Sequence, residues 1–349
     1  MESRNVISVM EPMAAAATAV PKGEALVELR GLTVDYGVGE RHVRAVDGID
    51  LTIHAGEVVG LAGESGCGKT TVANAVMQIL RPPAYVAGGS ILFRGDDLVG
   101  RKREQLRRYR WQNVSMVFQS AMNALNPVMR VGDQFIDMMR AHQRVSKRTA
   151  LARAEELLEV VGIDRRRARA YPHELSGGMR QRVIIAMALA LGPELLIMDE
   201  PTTALDVVVQ REILQQVQDL KRDLGFAVLF ITHDLSLLVE FADRIAIMYA
   251  GEIVETAPSA VLHTNPQHPY TRGLMESFPP LTGPLQRLVG IPGSPPDLAD
   301  PPSGCRFHPR CPLCVPDGPA YRRQTTERPR LRLVGTEHFA ACHLVEGAS

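Results

Sequence analysis

The sequence lacks the features that mark several large protein classes. Its 349 residues carry 39 Lys and Arg against 39 Asp and Glu, so no net charge draws the whole chain to nucleic acid or anionic lipid. Five cysteines are too few for a secreted disulfide framework. The longest uninterrupted apolar run, residues 183–191, is far shorter than the roughly 20 residues of a membrane-spanning helix. We therefore expect a globular, cytosolic chain that binds no nucleic acid.

The N-terminus and one basic run add little functional signal. Residues 1–24 contain acidic residues and lack a basic start followed by a hydrophobic stretch, which favours a disordered extension or an upstream start codon over a signal peptide. Residues 101–110 contain six Lys or Arg and precede Trp111, the only tryptophan. Leu106 and Trp111 have the spacing of one buried helix side, which favours a solvated helical face over a nucleic-acid patch.

Short apolar runs alternate with helical patterns between residues 26 and 249, which is typical of an α/β domain built on a largely parallel sheet. Continuous apolar runs predict buried strands at 57–62, 114–118, 195–198 and 227–231. Apolar residues three to four positions apart predict helices at 69–80, 132–143, 150–161, 178–191 and 207–224.

The strongest motif lies directly between a predicted strand and a predicted helix. Residues 63–70 read Gly-Glu-Ser-Gly-Cys-Gly-Lys-Thr, which matches the phosphate-binding P-loop. The glycines let backbone N–H groups face a phosphate, Lys69 adds positive charge, and the Thr70 hydroxyl can ligate magnesium. The predicted nucleotide contacts are Gly63, Glu64, Ser65, Gly66, Cys67, Gly68, Lys69, Thr70 and Thr71.

A pair of acids follows the predicted strand 195–198. Asp199 is expected in the magnesium shell, and Glu200 can polarise a water molecule for attack on the γ-phosphate of ATP. Paired acids at a strand end are also common in solvated turns. Beside a P-loop we favour catalysis, with Glu200 as the candidate general base.

The run Leu-Ser-Gly-Gly-Met-Arg-Gln at residues 175–181 allows two interpretations. Ser176 is typical of a helix N-cap, although the glycines after it weaken the helix that they begin. Alternatively, Ser176, Gly177 and Gly178 form a second phosphate cradle, since a hydroxyl, bare N–H groups and a positive helix end all suit an anion.

Together these motifs resemble those of the ATP-binding cassette (ABC) ATPases. The resemblance implies a P-loop ATPase with a RecA-like parallel-sheet core, an antiparallel β subdomain and an α-helical subdomain at about residues 120–185. It also implies that residues 176–178 complete the ATP site of the opposite subunit in a dimer.

Four further residues resemble family motifs that follow in the same order. Gln119 resembles the Q-loop glutamine, which ligates magnesium, senses the γ-phosphate and couples to membrane subunits. His233 resembles the switch histidine that contacts the γ-phosphate. Asp206, at the end of residues 204–206, resembles the D-loop aspartate of the dimer interface, and Tyr36 resembles the aromatic residue that stacks on adenine. Taken alone, His233 is more typical of a structural histidine and Tyr36 of an exposed turn.

The C-terminal segment resembles the extension of oligopeptide and dipeptide importer ATPases. The resemblance is carried by Asn-Pro-Gln-His-Pro-Tyr-Thr at 265–271, Ile-Pro-Gly-Ser-Pro-Pro-Asp-Leu at 291–298 and Gly-Cys-Arg-Phe-His-Pro-Arg-Cys-Pro at 304–312. The implied organisation is a disordered extension at 1–24, a nucleotide-binding domain at 25–262 and an importer-type extension at 263–349.

The resemblance implies the ATP-binding and ATP-hydrolysing subunit of a bacterial peptide importer, peripheral at the cytoplasmic face of the inner membrane. The implied partners are a second ABC ATPase subunit, identical or homologous, two transmembrane permease subunits, and through them an extracytoplasmic peptide-binding protein. Nickel or another small solute stays open as cargo. A soluble ABC ATPase of DNA repair or translation is disfavoured, because no second cassette, coiled-coil insertion or basic surface is visible. A non-catalytic regulatory subunit is disfavoured because Lys69, Asp199, Glu200 and His233 are all present.

Four of the five cysteines lie in this proline-rich C-terminal segment: Cys305, Cys311, Cys314 and Cys342. In a cytosolic protein such thiols are more often metal ligands than disulfides. The resemblance implies a [4Fe-4S] cluster on these four residues. The short spacing before Cys314 departs from the family pattern, and nearby histidines offer a zinc site as an alternative. Free thiols are the third possibility.

Overall fold

A computed structural model describes residues 23–38, 41–119, 124–201, 206–277, 290–345 and 347. The chain forms two compact units. We call the first the helical unit; it comprises Met1–Leu26, Ile53–Glu57 and Gly100–Leu229. We call the second the P-loop unit; it comprises Val27–Thr52, Val58–Val99 and Phe230–Ser349. The predicted disordered extension falls on residues 1–22, outside the described residues, apart from its last two positions.

The strands are given in chain order. They are β1 (Ala25–Val38), β2 (Arg41–His54), β3 (Val58–Ala62), β4 (Ala84–Phe93), β5 (Asp96–Asp97), β6 (Val114–Val117), β7 (Leu195–Asp199), β8 (Ala227–Ile231), β9 (Arg244–Tyr249), β10 (Glu252–Pro258), β11 (Arg332–Gly335) and β12 (His338–Ala340). The α-helices are α1 (Lys69–Val76), α2 (Arg103–Gln112), α3 (Val131–His142), α4 (Lys147–Val160), α5 (Gly177–Leu189), α6 (Val207–Leu224), α7 (Leu235–Phe241), α8 (Ser259–Thr264), α9 (Pro269–Glu276) and α10 (Tyr321–Thr326).

The P-loop unit combines antiparallel and parallel pairing. Strands β2, β1, β4 and β5 form an antiparallel sheet in that order, with Val27 opposite Phe93. Strand β3 runs parallel to β9, with Gly60 opposite Ile245. The antiparallel strands β10, β12 and β11 extend the sheet beyond β9, so the C-terminal region, by which we mean residues 252–349, adds strands to the sheet that carries the P-loop.

The helical unit contains the parallel pair β6 and β7, in which Val114 lies opposite Leu195. Both strands are buried along their length. Helices α3 and α4 pack with a 3-10 turn at Arg165–Arg169. Strand β8 spans the division of the chain; in this unit its first residue, Ala227, donates its N–H to the carbonyl oxygen of Glu194 at 2.7 Å.

The α/β architecture with a parallel core is confirmed. The predicted strands and helices all form, and their ends shift by a few residues at most, except that the first helix ends at Val76 and not near residue 80. One expectation was wrong: the buried side chain of α2 is Tyr109, whereas Leu106 and Trp111 are half-buried. The φ of 73° at Trp111 breaks the helical period on which that expectation depended. Among the described residues, no helix has the length and apolarity needed to cross a membrane.

Candidate nucleotide site

The P-loop follows β3, which is buried at every residue, and ends at Lys69, where α1 begins. Gly63 and Gly68 have φ values of 151° and 109°, which L side chains rarely adopt. A Cβ atom at Gly63 would lie 2.0 Å from the carbonyl oxygen of Met248, and one at Gly68 would lie 2.3 Å from that of Ala45. Only glycine fits these two positions, because the backbone of neighbouring segments approaches so closely.

Lys69 folds back over the loop that precedes it. Its Nζ donates hydrogen bonds to the carbonyl oxygens of Gly63 at 2.7 Å and Glu64 at 2.9 Å. The residue is 5% exposed, so the ammonium group sits at the centre of the loop. The exposed members of the loop are Ser65, Gly66 and Thr70. This arrangement leaves N–H and hydroxyl groups around one positive charge, as a phosphate site requires.

Tyr36 lies beside the helix that follows the P-loop. Its hydroxyl is 3.2 Å from Oγ1 of Thr71, which is buried in the first turn of α1. The tyrosine is half-buried, so it is not the freely exposed turn residue of the alternative interpretation. Its stacking on adenine stays a prediction.

The two acids and the glutamine lie at the ends of neighbouring strands in the helical unit. Asp199 ends the buried strand β7 and is 2% exposed. Glu200 follows with a φ of 45°, a conformation that is uncommon outside glycine and that clusters at functional sites. Gln119 Nε2 donates a hydrogen bond to Glu200 Oε2 at 2.8 Å. The contact arises because β6 and β7 are parallel neighbours, so the residues that follow them emerge at the same edge.

Ser176 begins α5 as an N-cap. Its Oγ accepts the N–H of Met179 at 3.3 Å, which confirms the capping interpretation. A Cβ atom at Gly178 would lie 2.8 Å from Cγ1 of Val209, so this glycine lets α5 approach α6 closely. Ser176 is exposed, and its role at a phosphate stays a prediction.

Asp206 directly precedes a predicted helix, and His233 follows a predicted strand. Asp206 caps α6, because its Oδ1 accepts the N–H groups of Val208 at 3.1 Å and Val209 at 3.0 Å. Ala204 and Leu205 of the same motif lie outside the described residues. His233 is exposed in the P-loop unit, two positions after β8 ends.

One contact of the P-loop was not predicted. The guanidinium of Arg310 forms a two-pronged ion pair with the carboxylate of Glu64, at 2.6 and 3.0 Å. The backbone N–H of Glu64 donates to the hydroxyl of Tyr270 at 2.9 Å, so that N–H is engaged by protein. A carboxylate inside a phosphate-binding loop indicates that a basic side chain lies nearby, but the sequence does not identify the residue that supplies it.

The predicted metal centre on the cysteines is not supported. The part of the chain that the structure describes contains no group of three or more His, Cys, Asp or Glu side chains that could hold a metal ion. The [4Fe-4S] cluster predicted on Cys305, Cys311, Cys314 and Cys342 is therefore not supported, and neither is the zinc alternative. Burial raises the pKa of all four thiols, that of Cys305 to about 12. All five cysteines are free.

Comparison with known families gives two matches along the chain. Residues 46–203 match the family described as ABC transporter, and residues 254–317 match the family described as oligopeptide/dipeptide transporter, C-terminal region. The chain is 45% identical over 286 residues to the oligopeptide transport ATP-binding protein OppD of Bacillus subtilis, covering 81% of this chain and 80% of that protein. It is 46% identical over 331 residues to the OppD of Mycobacterium tuberculosis, covering 93% of this chain and 53% of that protein.

Solved structures show the same fold. The dimeric structure of MJ0796, a bacterial ABC transporter cassette, aligns with a TM-score of 0.60 and 28% identity, covering 67% of this chain and 99% of that chain. A post-hydrolysis state of the same cassette, bound to ADP and Pi, aligns with a TM-score of 0.59 at the same identity and coverage.

Proposed function

This chain belongs to the ABC transporter family and is an ATPase of that family, and from that premise we propose that it energises the import of dipeptides or oligopeptides. One observation carries the peptide cargo: residues 254–317 match the C-terminal region of oligopeptide and dipeptide transporters. The names of the relatives at 45–46% identity support the same cargo.

We assign the phosphates of ATP to the P-loop. The exposed Ser65 and Gly66 present the open side of the loop, and the ammonium of Lys69 lies behind them. Tyr36 is assigned to the adenine, since its hydroxyl lies 3.2 Å from Oγ1 of Thr71 in α1, the helix that follows the P-loop. His233 is assigned to the γ-phosphate.

Magnesium supplies charge neutralisation of the phosphates when it is bound. The proposed ligands are oxygens, which Mg²⁺ prefers: the exposed hydroxyl of Thr70, the carboxylate of Asp199 and the side-chain oxygen of Gln119. In the Gln119 contact the amide nitrogen faces Glu200, so the amide oxygen is left for the metal.

Glu200 is the proposed general base. A carboxylate that orients and deprotonates water must be held in place, and the hydrogen bond from Gln119 at 2.8 Å does this from the adjacent strand end. The same bond connects the base to the glutamine whose family role is coupling. A shift of Gln119 would therefore release or reorient the base, which gives the transporter a route to control hydrolysis.

We propose that two ATPase subunits close head to tail around ATP. Ser176 and the glycines after it begin α5, so their N–H groups and the positive end of that helix face outward toward a partner's nucleotide. Asp206 lies at the start of α6 next to Val207 and Val208, which are each 67% exposed and suit a subunit interface. The second subunit is a copy of this chain or a homologue.

The remaining proposed partners are two permease subunits and, through them, an extracytoplasmic peptide-binding protein. With these partners, the proposed location of the chain is the cytoplasmic face of the inner membrane, where it is a peripheral subunit. Nickel or another small solute is the alternative cargo.

Reconstitution with the permease subunits tests the cargo. ATP hydrolysis is measured in proteoliposomes with the binding protein empty, loaded with a peptide mixture, or incubated with nickel. We expect the peptide-loaded protein to stimulate hydrolysis and the other two conditions to leave it near the basal rate. Stimulation by nickel and not by peptides would overturn the peptide assignment and leave the ATPase assignment standing.

A further inference from the structure

Glu64 places a negative charge inside the loop that must bind a polyanion. It lies between Gly63 and the exposed Ser65, and its own carbonyl oxygen accepts a hydrogen bond from Lys69 Nζ at 2.9 Å. An uncompensated carboxylate at this position would repel the phosphates and offset the charge of the lysine. Its compensation comes from the C-terminal region, 246 positions further along the chain.

Contacts with residues other than Glu64 fix the orientation of the Arg310 side chain. Its Nε donates to the carbonyl oxygen of Pro292 at 2.8 Å, and its Nη1 lies 3.3 Å from the hydroxyl of Tyr249. The guanidinium carbon is 5.8 Å from the Tyr249 ring centre and 6.0 Å from that of Phe307. The arginine is 8% exposed. Because β9 and the C-terminal region hold its planar head on several sides, the geometry of the ion pair is set outside the loop.

A second contact supports the same loop residue. Tyr270 is fully buried, and its hydroxyl accepts the N–H of Glu64. Its ring packs 4.5 Å from that of Tyr249 and 5.4 Å from that of Phe307, measured between centroids. One aromatic cluster therefore orients both the tyrosine and the arginine that contact Glu64.

A cavity lies beside the first turn of the loop. Its volume is about 290 Å³, and it is lined by residues 64–67 of the P-loop, by Tyr249 and Ala250, and by residues 295–298 of the C-terminal region. A Cβ atom at Gly66 would meet no atom within 4 Å. Next to this open side, the carboxylate and the backbone N–H of Glu64 connect the first turn to Arg310 and Tyr270.

We propose that Arg310 is a positioning residue of the ATP site: it neutralises Glu64 and holds the first turn of the P-loop, so that the C-terminal region sets the affinity of the chain for nucleoside triphosphate. The inference rests on the proposed function only in that ATP is the ligand of the loop. It adds a role for the C-terminal region that is separate from the choice of cargo.

A charge-neutralising double variant tests this role. ATP hydrolysis by the purified full chain is measured over a range of ATP concentrations for wild type, Arg310→Ala, Arg310→Lys, Glu64→Gln and the Arg310→Ala, Glu64→Gln double variant. Arg323→Ala is the matched control, because it removes another arginine of the C-terminal region whose partner, Glu327, lies in an exposed pair at 3.3 Å. Thermal unfolding of each variant reports its folding.

We expect Arg310→Ala to raise the KM for ATP about tenfold, because the variant loses one charge-assisted contact, and to change kcat less than twofold. The double variant should return the KM to within about threefold of wild type even if it unfolds at the same temperature as Arg310→Ala. Arg310→Lys should lie between, because an ammonium keeps the charge but not the two-pronged geometry. The control should keep the wild-type KM.

Three results would overturn the inference: an unchanged KM in Arg310→Ala, a double variant no better than Arg310→Ala, or a fall in kcat at constant KM. Absence of ATP hydrolysis by the wild-type chain would instead contradict the proposed function, so the two failures are distinguishable. Binding of a fluorescent ATP analogue by each variant checks that the KM follows affinity.

Discussion

Arg306→Ala removes the centre of a buried charge network in the P-loop unit. Arg306 contacts the carboxylate of Asp47 and the carbonyl oxygen of Ala250, and its Nε lies 3.0 Å from Glu252. The side chains of Arg306, Asp47 and Glu252 are 10%, 11% and 9% exposed. Arg328 also pairs with both acids, at 3.1 and 2.8 Å, but its side chain is 49% exposed.

The magnitude follows from burial. Removing Arg306 leaves two buried carboxylates whose remaining partners, Arg328 and Arg44, are both half-exposed, and breaking a buried pair in this way costs about 3–5 kcal/mol. For 349 residues, an unfolding entropy of about 2.1 cal/mol/K per residue makes that a fall in Tm of roughly 4–7 °C. Arg328→Ala removes the solvated partner and should cost about 1 kcal/mol.

The cost of Arg306→Ala should depend on pH. Burial raises the pKa of Glu252, while Arg306 and Arg328 oppose that shift. Without Arg306 the pKa rises further, so the folded variant binds a proton more tightly than its unfolded chain does. Protonation at acid pH then relieves the buried charge, and the deficit relative to wild type should be smaller at pH 5 than at pH 8.

Urea denaturation of the full chain at the two pH values measures these free energies, with Arg323→Ala as a control for loss of an exposed pair. A cost below about 1 kcal/mol for Arg306→Ala at pH 8 would refute the reasoning, since that value belongs to solvated ion pairs. A deficit that grows toward pH 5 would refute the assignment of the effect to Glu252.

Three further outcomes follow from buried groups. Glu255 is fully buried; its carboxylate accepts the backbone N–H of His268 at 2.9 Å and lies 2.7 Å from His338 Nε2. In denaturant titrations Glu255→Leu should therefore lower the unfolding free energy by about 3 kcal/mol, and Glu255→Gln should lower it by less. Burial lowers the pKa of the His268 side chain to about 3, so the stability of the fold should fall as pH drops below about 6.5, where the unfolded chain takes up the proton. His268→Gln should weaken this acid sensitivity. An unchanged dependence of stability on pH in that variant would contradict the assignment to His268. With a pKa raised to about 12, the half-buried Cys305 should be alkylated by iodoacetamide about a thousandfold more slowly at pH 8 than an ordinary thiol. Peptide mass mapping follows the rate, which should rise with pH; labelling at the rate of an ordinary thiol would contradict the raised pKa.

The sequence predicts well where a local pattern and its context coincide. The P-loop lies between β3 and α1 because glycine spacing, the strand before it and the helix after it all agree. Ser176 was recognised as a cap from the residues around it alone. In both cases the physical requirement is contained within about ten consecutive residues.

Contacts that depend on tertiary packing are not visible in such windows. Gln119 and Glu200 are 81 positions apart and meet because β6 and β7 pair in parallel. Glu64 and Arg310 are 246 positions apart, and the sequence around either residue gives no indication of its partner. The cysteine prediction is not supported: four thiols in one segment suggested a cluster, but the described residues contain no group of three or more side chains that could hold a metal ion.

ATP turnover by Glu200→Gln tests the central claim most directly. ATP binding and ATP hydrolysis are measured for wild type and for this variant, each reconstituted with the permease subunits. The account predicts that wild type hydrolyses ATP, and that the variant binds ATP with wild-type affinity, loses turnover by at least a hundredfold and accumulates as a closed ATPase dimer. Hydrolysis by Glu200→Gln at the wild-type rate would contradict the account.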